Sequence, residues 1–212
     1  SIAKQKNKRV IFPKGQSDSA RLDQTLARRI IEDKMDIVEA VVAMMPPAWE
    51  NDPMIPDGIR AMFEYFSLYE EKNDGPAALI FSDGVKVGAA LDRLGLRPLR
   101  SVETKEYIAV LSEAGQIEFP PEDVIRRGRI EAGGILVFDH QGSKLYTTDA
   151  VWNKLAAEKN YRDLVKKRSL NLNDLPPVAL EDLDDSHEFS VAQRHVAYSH
   201  NQETFRFLLD PM

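Results

Sequence analysis

The sequence predicts an α+β fold in which helices pack against antiparallel sheet, and three observations carry that expectation. Apolar residues recur at helical spacing to about Tyr69, alternate like strands from Pro76 to about Thr147, and return to helical spacing after Asp149. Short turns separate the strand-like runs, which implies antiparallel pairing rather than the long crossovers of parallel sheet. Finally, 43% hydrophobic and 29% charged residues over 212 positions describe an ordinary globular chain, long enough for one good-sized domain with an appendage.

The elements follow in order. Residues 1–16 are polar and basic around Val10-Ile11-Phe12, and read as a linker or a strand remnant. Ser17-Asp18-Ser19 offers capping side chains ahead of Leu22, Leu26 and Ile30, whose spacing predicts an amphipathic helix to about Asp33. Asp36 caps a second helix, Ile37 to Met45, which Pro46-Pro47 stops because proline supplies no backbone donor. A third begins at Asp57, with Ile59, Met62, Phe63, Phe66 and Tyr69 on one stripe. Asp83-Gly84 between two apolar runs marks a hairpin, since glycine accepts the positive φ such turns demand. Strands are expected at 99–104, 107–112, 135–139 and 144–147, with His140-Gln141-Gly142 as a turn. Two further helices carry Val151, Trp152, Leu155 and Ala156, then Tyr161, Leu164 and Val165. Leu175-Pro176-Pro177 and the acidic run Glu181-Asp182-Leu183-Asp184-Asp185 read as an interdomain linker, followed by two short helical patterns. The expected organisation is a main domain over 1–170 and a helical linker tail over 171–212. The pattern does not say whether the strands form one sheet or two.

Composition excludes several kinds of chemistry. With no cysteine, the chain offers no disulfide, no thiolate nucleophile and no cysteine-held zinc or iron–sulfur site. A net charge of −6 argues against nucleic acid as a partner, because such binding needs a basic face that releases counterions. The tightest basic run, Arg126-Arg127-Gly128-Arg129, follows Glu122 and Asp123 and reads as a solvated turn with local ion pairs. No apolar stretch reaches the ~20 residues of a membrane helix, and the basic N-terminus has no signal core behind it, so the expectation is a cytoplasmic protein without a membrane partner.

Few residues suggest chemistry on their own. His195 and His200 are five apart and do not share a helical face, and His140 sits in a turn, so no metal site is expected. Three arginines, Arg93, Arg97 and Arg100, surround Gly95 and Pro98 and could hold an anion; the favoured alternative is that Asp92 and Asp83 pair with them and lock the connection. Ser1 lacks the glycine motif that would accompany an N-terminal nucleophile. Asp18, at a loop-to-helix junction, is the best single candidate, because a carboxylate there can receive a ligand's ammonium group; its plain alternative is capping.

Several segments, taken in order, resemble one family. They are Ser17-Asp18-Ser19-Ala20-Arg21-Leu22-Asp23, Met44 to Asp52, Asp74-Gly75-Pro76-Ala77-Ala78, Phe81-Ser82-Asp83-Gly84, Leu91-Asp92-Arg93-Leu94-Gly95-Leu96-Arg97-Pro98, Ser112-Glu113-Ala114-Gly115, Gly128-Arg129 ahead of Gly133, and Phe138-Asp139. Together they look like the later half of the class II glutamine amidotransferase domain of the glutamate synthase large subunit. The tail, with Gln193, Ala197-Tyr198 and Leu208 to Met212, resembles the entry to that enzyme's central domain. The resemblance implies part of an N-terminal-nucleophile sandwich: two antiparallel sheets between helix layers. It implies glutamine as substrate, and a parent enzyme that makes glutamate from glutamine and 2-oxoglutarate with FMN and an iron–sulfur cluster. The remaining domains of that enzyme and a small subunit would be its partners. It also implies that this chain is a piece of the enzyme, holds no catalytic residue or cofactor of its own, and has its cysteine nucleophile upstream. Asp18 matches the aspartate that holds the glutamine α-amino group, Ser17 and Ser19 flank it as pocket residues, and the arginine loop is expected to be scaffold. Departures from the family pattern are Leu94 for Asn, Pro47 for Glu, Leu111 for Ala, and Glu70-Glu71-Lys72-Asn73 for Met-Glu-Pro-Trp. Another amidotransferase of the same fold, or a non-catalytic binding or regulatory domain, are the alternatives.

Overall fold

The computed structural model describes residues 15–69, 72–73, 75–176, 190–200, 204 and 206–207. The readings of Ser1, of Val10-Ile11-Phe12, of Glu70-Glu71, of Asp74, of Pro177, of the acidic run at 181–185 and of the tail at 208–212 lie outside the described residues. Contacts divide the chain into two compact units, Ser1–Ser169 and Leu170–Met212.

The first unit begins with α1 (Asp18–Ile31), whose Leu22, Leu26 and Ile30 turn toward the core. Helix α2 (Ile37–Met44) starts where the Asp36 carboxylate accepts the Val38 N–H at 2.9 Å. All eight of its residues are buried; seven are apolar, and the one charge, Glu39, is paired with Lys159 at 2.6 Å. In α3 (Asp57–Ser67) the expected stripe is borne out: Ile59, Met62, Phe63 and Phe66 are buried. Trp49 stacks on Phe63 with ring centres 6.3 Å apart, and Trp152 meets the same ring edge-on at 5.4 Å.

Among the described residues seven strands follow, in two sheets. Strands β1 (Ala78–Ser82) and β2 (Lys86–Leu91) form the predicted hairpin, with Gly84 at φ +88°. The Asp83 carboxylate fixes the turn by accepting the N–H groups of Val85 at 2.9 Å and Lys86 at 2.7 Å. Strands β6 (Ile135–Asp139) and β7 (Lys144–Tyr146) extend this sheet in the order β1-β2-β6-β7. Strands β3 (Arg100–Thr104), β4 (Ile108–Leu111) and β5 (Val124–Arg129) form the other, in the order β4-β3-β5. Every pairing is antiparallel.

Here the sequence reading needs one correction. Arg126-Arg127-Gly128-Arg129 is not a turn but the body of β5, paired along its length with β3. Almost all of this strand is exposed, so the apolar alternation that marks a half-buried strand is missing. The ion pairs of the reading are present, though one is cross-strand: Arg126 meets Glu103 at 3.0 Å, and Arg129 meets Glu131 at 2.8 Å.

Side-chain alternation gives the larger sheet two faces. Leu79, Phe81, Ala90, Ile135, Val137 and Tyr146 pack with the helices. On the other face, Ala89, Leu91 and Leu136 join Leu99, Val110 and Ile130 from the region of the smaller sheet. Farther along that face Ile80 is 58% exposed and Val87 40% exposed, so apolar sheet surface is open there. Helix α4 (Thr148–Glu158) is tied to β6 by the Thr148 hydroxyl, which accepts the Ile135 N–H and donates to the Ile135 carbonyl, both at 3.0 Å. Helix α5 (Tyr161–Lys166) completes the layer with Tyr161 and Val165 buried.

In the second unit, α6 (Val191–Ala197) opens with a reciprocal cap. Ser190 Oγ accepts the Gln193 N–H at 3.3 Å, and Gln193 Oε1 accepts the Ser190 N–H at 2.8 Å.

Gly133 offers a test of how tightly the first unit is packed. It sits at φ +67°, and a Cβ there would lie 2.5 Å from the Pro47 Cα. A left-handed non-glycine residue costs about 1–3 kcal/mol before any clash. Gly133→Ala should therefore lower stability by at least about 2 kcal/mol, read from the denaturant midpoint. An unshifted midpoint would mean that the Pro47 turn yields freely.

Candidate functional site

The candidate residues lie in the first turn of α1. The Ser17 hydroxyl accepts the Ala20 N–H at 3.3 Å, and Ser17 itself is the cap, with extended backbone at φ −68° and ψ 158°. Capping therefore falls to Ser17, and Asp18 is released from it. Asp18 is exposed, and its carboxylate makes no hydrogen bond or ion pair with any described residue. Its position in the first turn suits a negative charge, because the unpaired N–H groups of a helix start make that end positive. Ser17 Oγ and Ser19 Oγ are 3.0 Å apart, one hydroxyl on either side of Asp18 in the sequence.

One neighbour went unnoticed in the sequence. The side-chain carbonyl oxygen of Gln16, one residue before the cap, is buried with no hydrogen-bond partner. A buried acceptor left unpaired costs free energy that a bound donor would recover. Gln16 carries no pattern that marks such a role, and only burial shows it. An exposed carboxylate without a protein partner is the kind of group that can receive an ammonium ion.

A second constellation gathers around Asp92, which is 1% exposed. Its carboxylate accepts three backbone N–H groups: Ala77 at 3.3 Å, Leu94 at 3.1 Å and Leu96 at 3.2 Å. Its backbone carbonyl accepts Gly95 at 3.0 Å and Gly133 at 2.8 Å. The lock expected at this loop is present, but it is built differently: Asp92 and Asp83 bind backbone amides, while Arg93 reaches Glu50 at 3.7 Å. Lys72 also pairs with Glu50. The Lys72 hydrogen bond, helped by the charges of Lys72 and Arg93, holds the Glu50 carboxyl below its ordinary value of 4.5 against a smaller effect of burial. Segments 44–52, 72–73, 75–78, 91–98 and 128–133 thus meet at one place, bound by backbone and side-chain contacts that no single segment reveals.

Among the described residues no three His, Asp or Glu side chains cluster as metal ligands would. His140 is exposed in its turn against Phe138, and His195 and His200 belong to the second unit. No helix among the described residues is long and apolar enough to cross a membrane.

Helices layered on antiparallel sheet agree with what comparison of the sequence shows. Residues 3–164 match the class-II glutamine amidotransferases, and the chain belongs to that family, whose fold is of the N-terminal-nucleophile type. Within the family it is glutamate synthase-like. It is 31% identical over 209 residues to ferredoxin-dependent glutamate synthase 2 of Synechocystis, covering 95% of this chain and 13% of that protein. Against the glutamate synthase [NADPH] large chain of Bacillus subtilis it is 30% identical over 197 residues, covering 92% and 13%. Against glutamate synthase [NADH] of Schizosaccharomyces pombe the figures are 27% over 210 residues, 95% and 10%. The chain spans only about a tenth of the length of these relatives.

Proposed function

We propose that the chain forms the glutamine-holding wall of an amidotransferase domain in a glutamate synthase. The observation that carries this reading is the unpartnered Asp18 carboxylate beside the Ser17 and Ser19 hydroxyls. Asp18 accepts the α-ammonium of glutamine in a charge-assisted hydrogen bond, and the serines shape the pocket around it. Holding the amino-acid end fixes where the side-chain amide lies, and positioning of this kind lowers the barrier to attack. The attacking thiolate is supplied from outside these 212 residues, which contain no cysteine.

In the whole protein, ammonia released from glutamine is joined to 2-oxoglutarate with reducing equivalents, giving two glutamates. In this reading FMN and an iron–sulfur cluster held by other parts of the protein would supply the reducing chemistry; these 212 residues have no cysteine to ligate a cluster. Residues 171–212 lead toward the synthase domains, a small subunit is a further partner, and the reaction belongs in the cytoplasm.

The test is to feed the full-length protein 2-oxoglutarate, a reductant and glutamine carrying heavy nitrogen in its side-chain amide. The label should appear in the amino group of newly made glutamate. Label passed to a different acceptor would point to another amidotransferase of this family, and glutamine left intact would favour a non-catalytic domain.

A further inference from the structure

The smaller sheet carries a concentration of positive charge that the amidotransferase reading does not use. In the β3–β5 register Arg100 lies directly opposite Arg129, and Arg127 lies opposite Val102. Alternation puts Arg100, Arg127 and Arg129 on one face of this sheet, while Arg126 and its partner Glu103 point to the other. All three are exposed, and Val102, opposite Arg127 in the register, is buried. Only Arg129 has a carboxylate partner, the exposed Glu131; Arg100 and Arg127 make no ion pair with any described residue, and neither does the exposed Arg97 just upstream.

Like charges directly opposite each other weaken a sheet. Here they are kept together in a chain whose net charge is −6. The surface beside them is also preformed. Leu94 and Leu96, 57% and 56% exposed, stand on the loop that the buried Asp92 carboxylate locks, and Gly95 of that loop packs on Ala132 beside β5. Arginines on a paired strand together with exposed apolar side chains on a locked loop are the composition of a protein-binding surface.

We propose that Arg100, Arg127 and Arg129, with Arg97 and the two leucines at the margin, form a docking platform for an acidic polypeptide segment of a partner protein. Arg127 and Arg129 are two residues apart on a strand, roughly 6.5 Å, which matches the repeat of same-side carboxylates along an extended peptide. Each guanidinium binds a carboxylate in fork geometry.

The experiment measures fluorescence anisotropy of a labelled decaglutamate peptide titrated with the full-length protein. Binding should weaken as salt rises, and the Arg100→Gln/Arg127→Gln variant should raise Kd at least tenfold. That variant should still turn over glutamine and melt no lower than the wild type, because a like-charge contact has been removed. Lys166→Gln/Lys167→Gln, an equal loss of exposed charge elsewhere, should leave Kd unchanged. Should the double variant not fold, Arg127→Lys keeps the charge but loses the fork and should still weaken binding severalfold. The proposal is overturned if decaglutamate does not bind, if the arginine variants bind as well as wild type, if the lysine variant weakens binding equally, or if a ten-nucleotide oligothymidylate binds more tightly than the peptide.

Discussion

Replacing Asp92 by alanine is expected to lower the melting temperature of the transition containing this domain by roughly 6–12 °C. The carboxylate is 1% exposed and satisfies the N–H groups of Ala77, Leu94 and Leu96, which alanine would strand in a place closed to water. Each stranded buried donor costs about 1–3 kcal/mol, and partial relaxation of the loop brings the sum to about 3 kcal/mol. A domain of this size loses about 2–4 °C per kcal/mol. Asp92→Asn keeps one carbonyl oxygen and should lose about half as much. Differential scanning calorimetry of both variants checks the claim, and a shift under 2 °C for the alanine variant would show that water reaches these amides.

The helices of the first unit were legible because period and caps agree there: Asp36 and the Ile59–Phe66 stripe are visible in the sequence and carry the predicted roles. The β1–β2 hairpin was legible for a similar reason, since Asp83-Gly84 is a local signal. Strand β5 was not, because a strand exposed along nearly its whole length is recognised by its partner β3 rather than by its own residues. The division into two sheets was equally hidden, as it depends on pairings between strands far apart in the chain. At the candidate site, Ser17, Asp18 and Ser19 could be singled out, but which of them caps the helix is a matter of backbone angles. Gln16 became visible only through the burial of its oxygen, and the way Asp92 ties its loop to Ala77 and Gly133 only through contacts between residues far apart in the chain.

The second large effect concerns glutamine itself. Asp18→Asn preserves the shape of the side chain and its place in the first turn of α1 but removes its charge. The stability cost is small, since one exposed charge at a helix start is worth about 0.3–1 kcal/mol. For glutamine the loss is larger, because a charge-assisted hydrogen bond to the ammonium group becomes a neutral one. Such bonds contribute about 1.5–3 kcal/mol, which corresponds to a rise of roughly 10- to 100-fold in KM. Ammonia supplied directly needs no α-ammonium contact and should be used as before. The decisive measurement is therefore steady-state kinetics of the full-length protein, wild type and Asp18→Asn, with glutamine and then with ammonia as nitrogen source. The account predicts a KM for glutamine raised at least about tenfold with ammonia-dependent turnover within about twofold of wild type. An unchanged glutamine KM in the variant would remove Asp18 from the site and contradict the assignment of this helix start as the glutamine-holding wall.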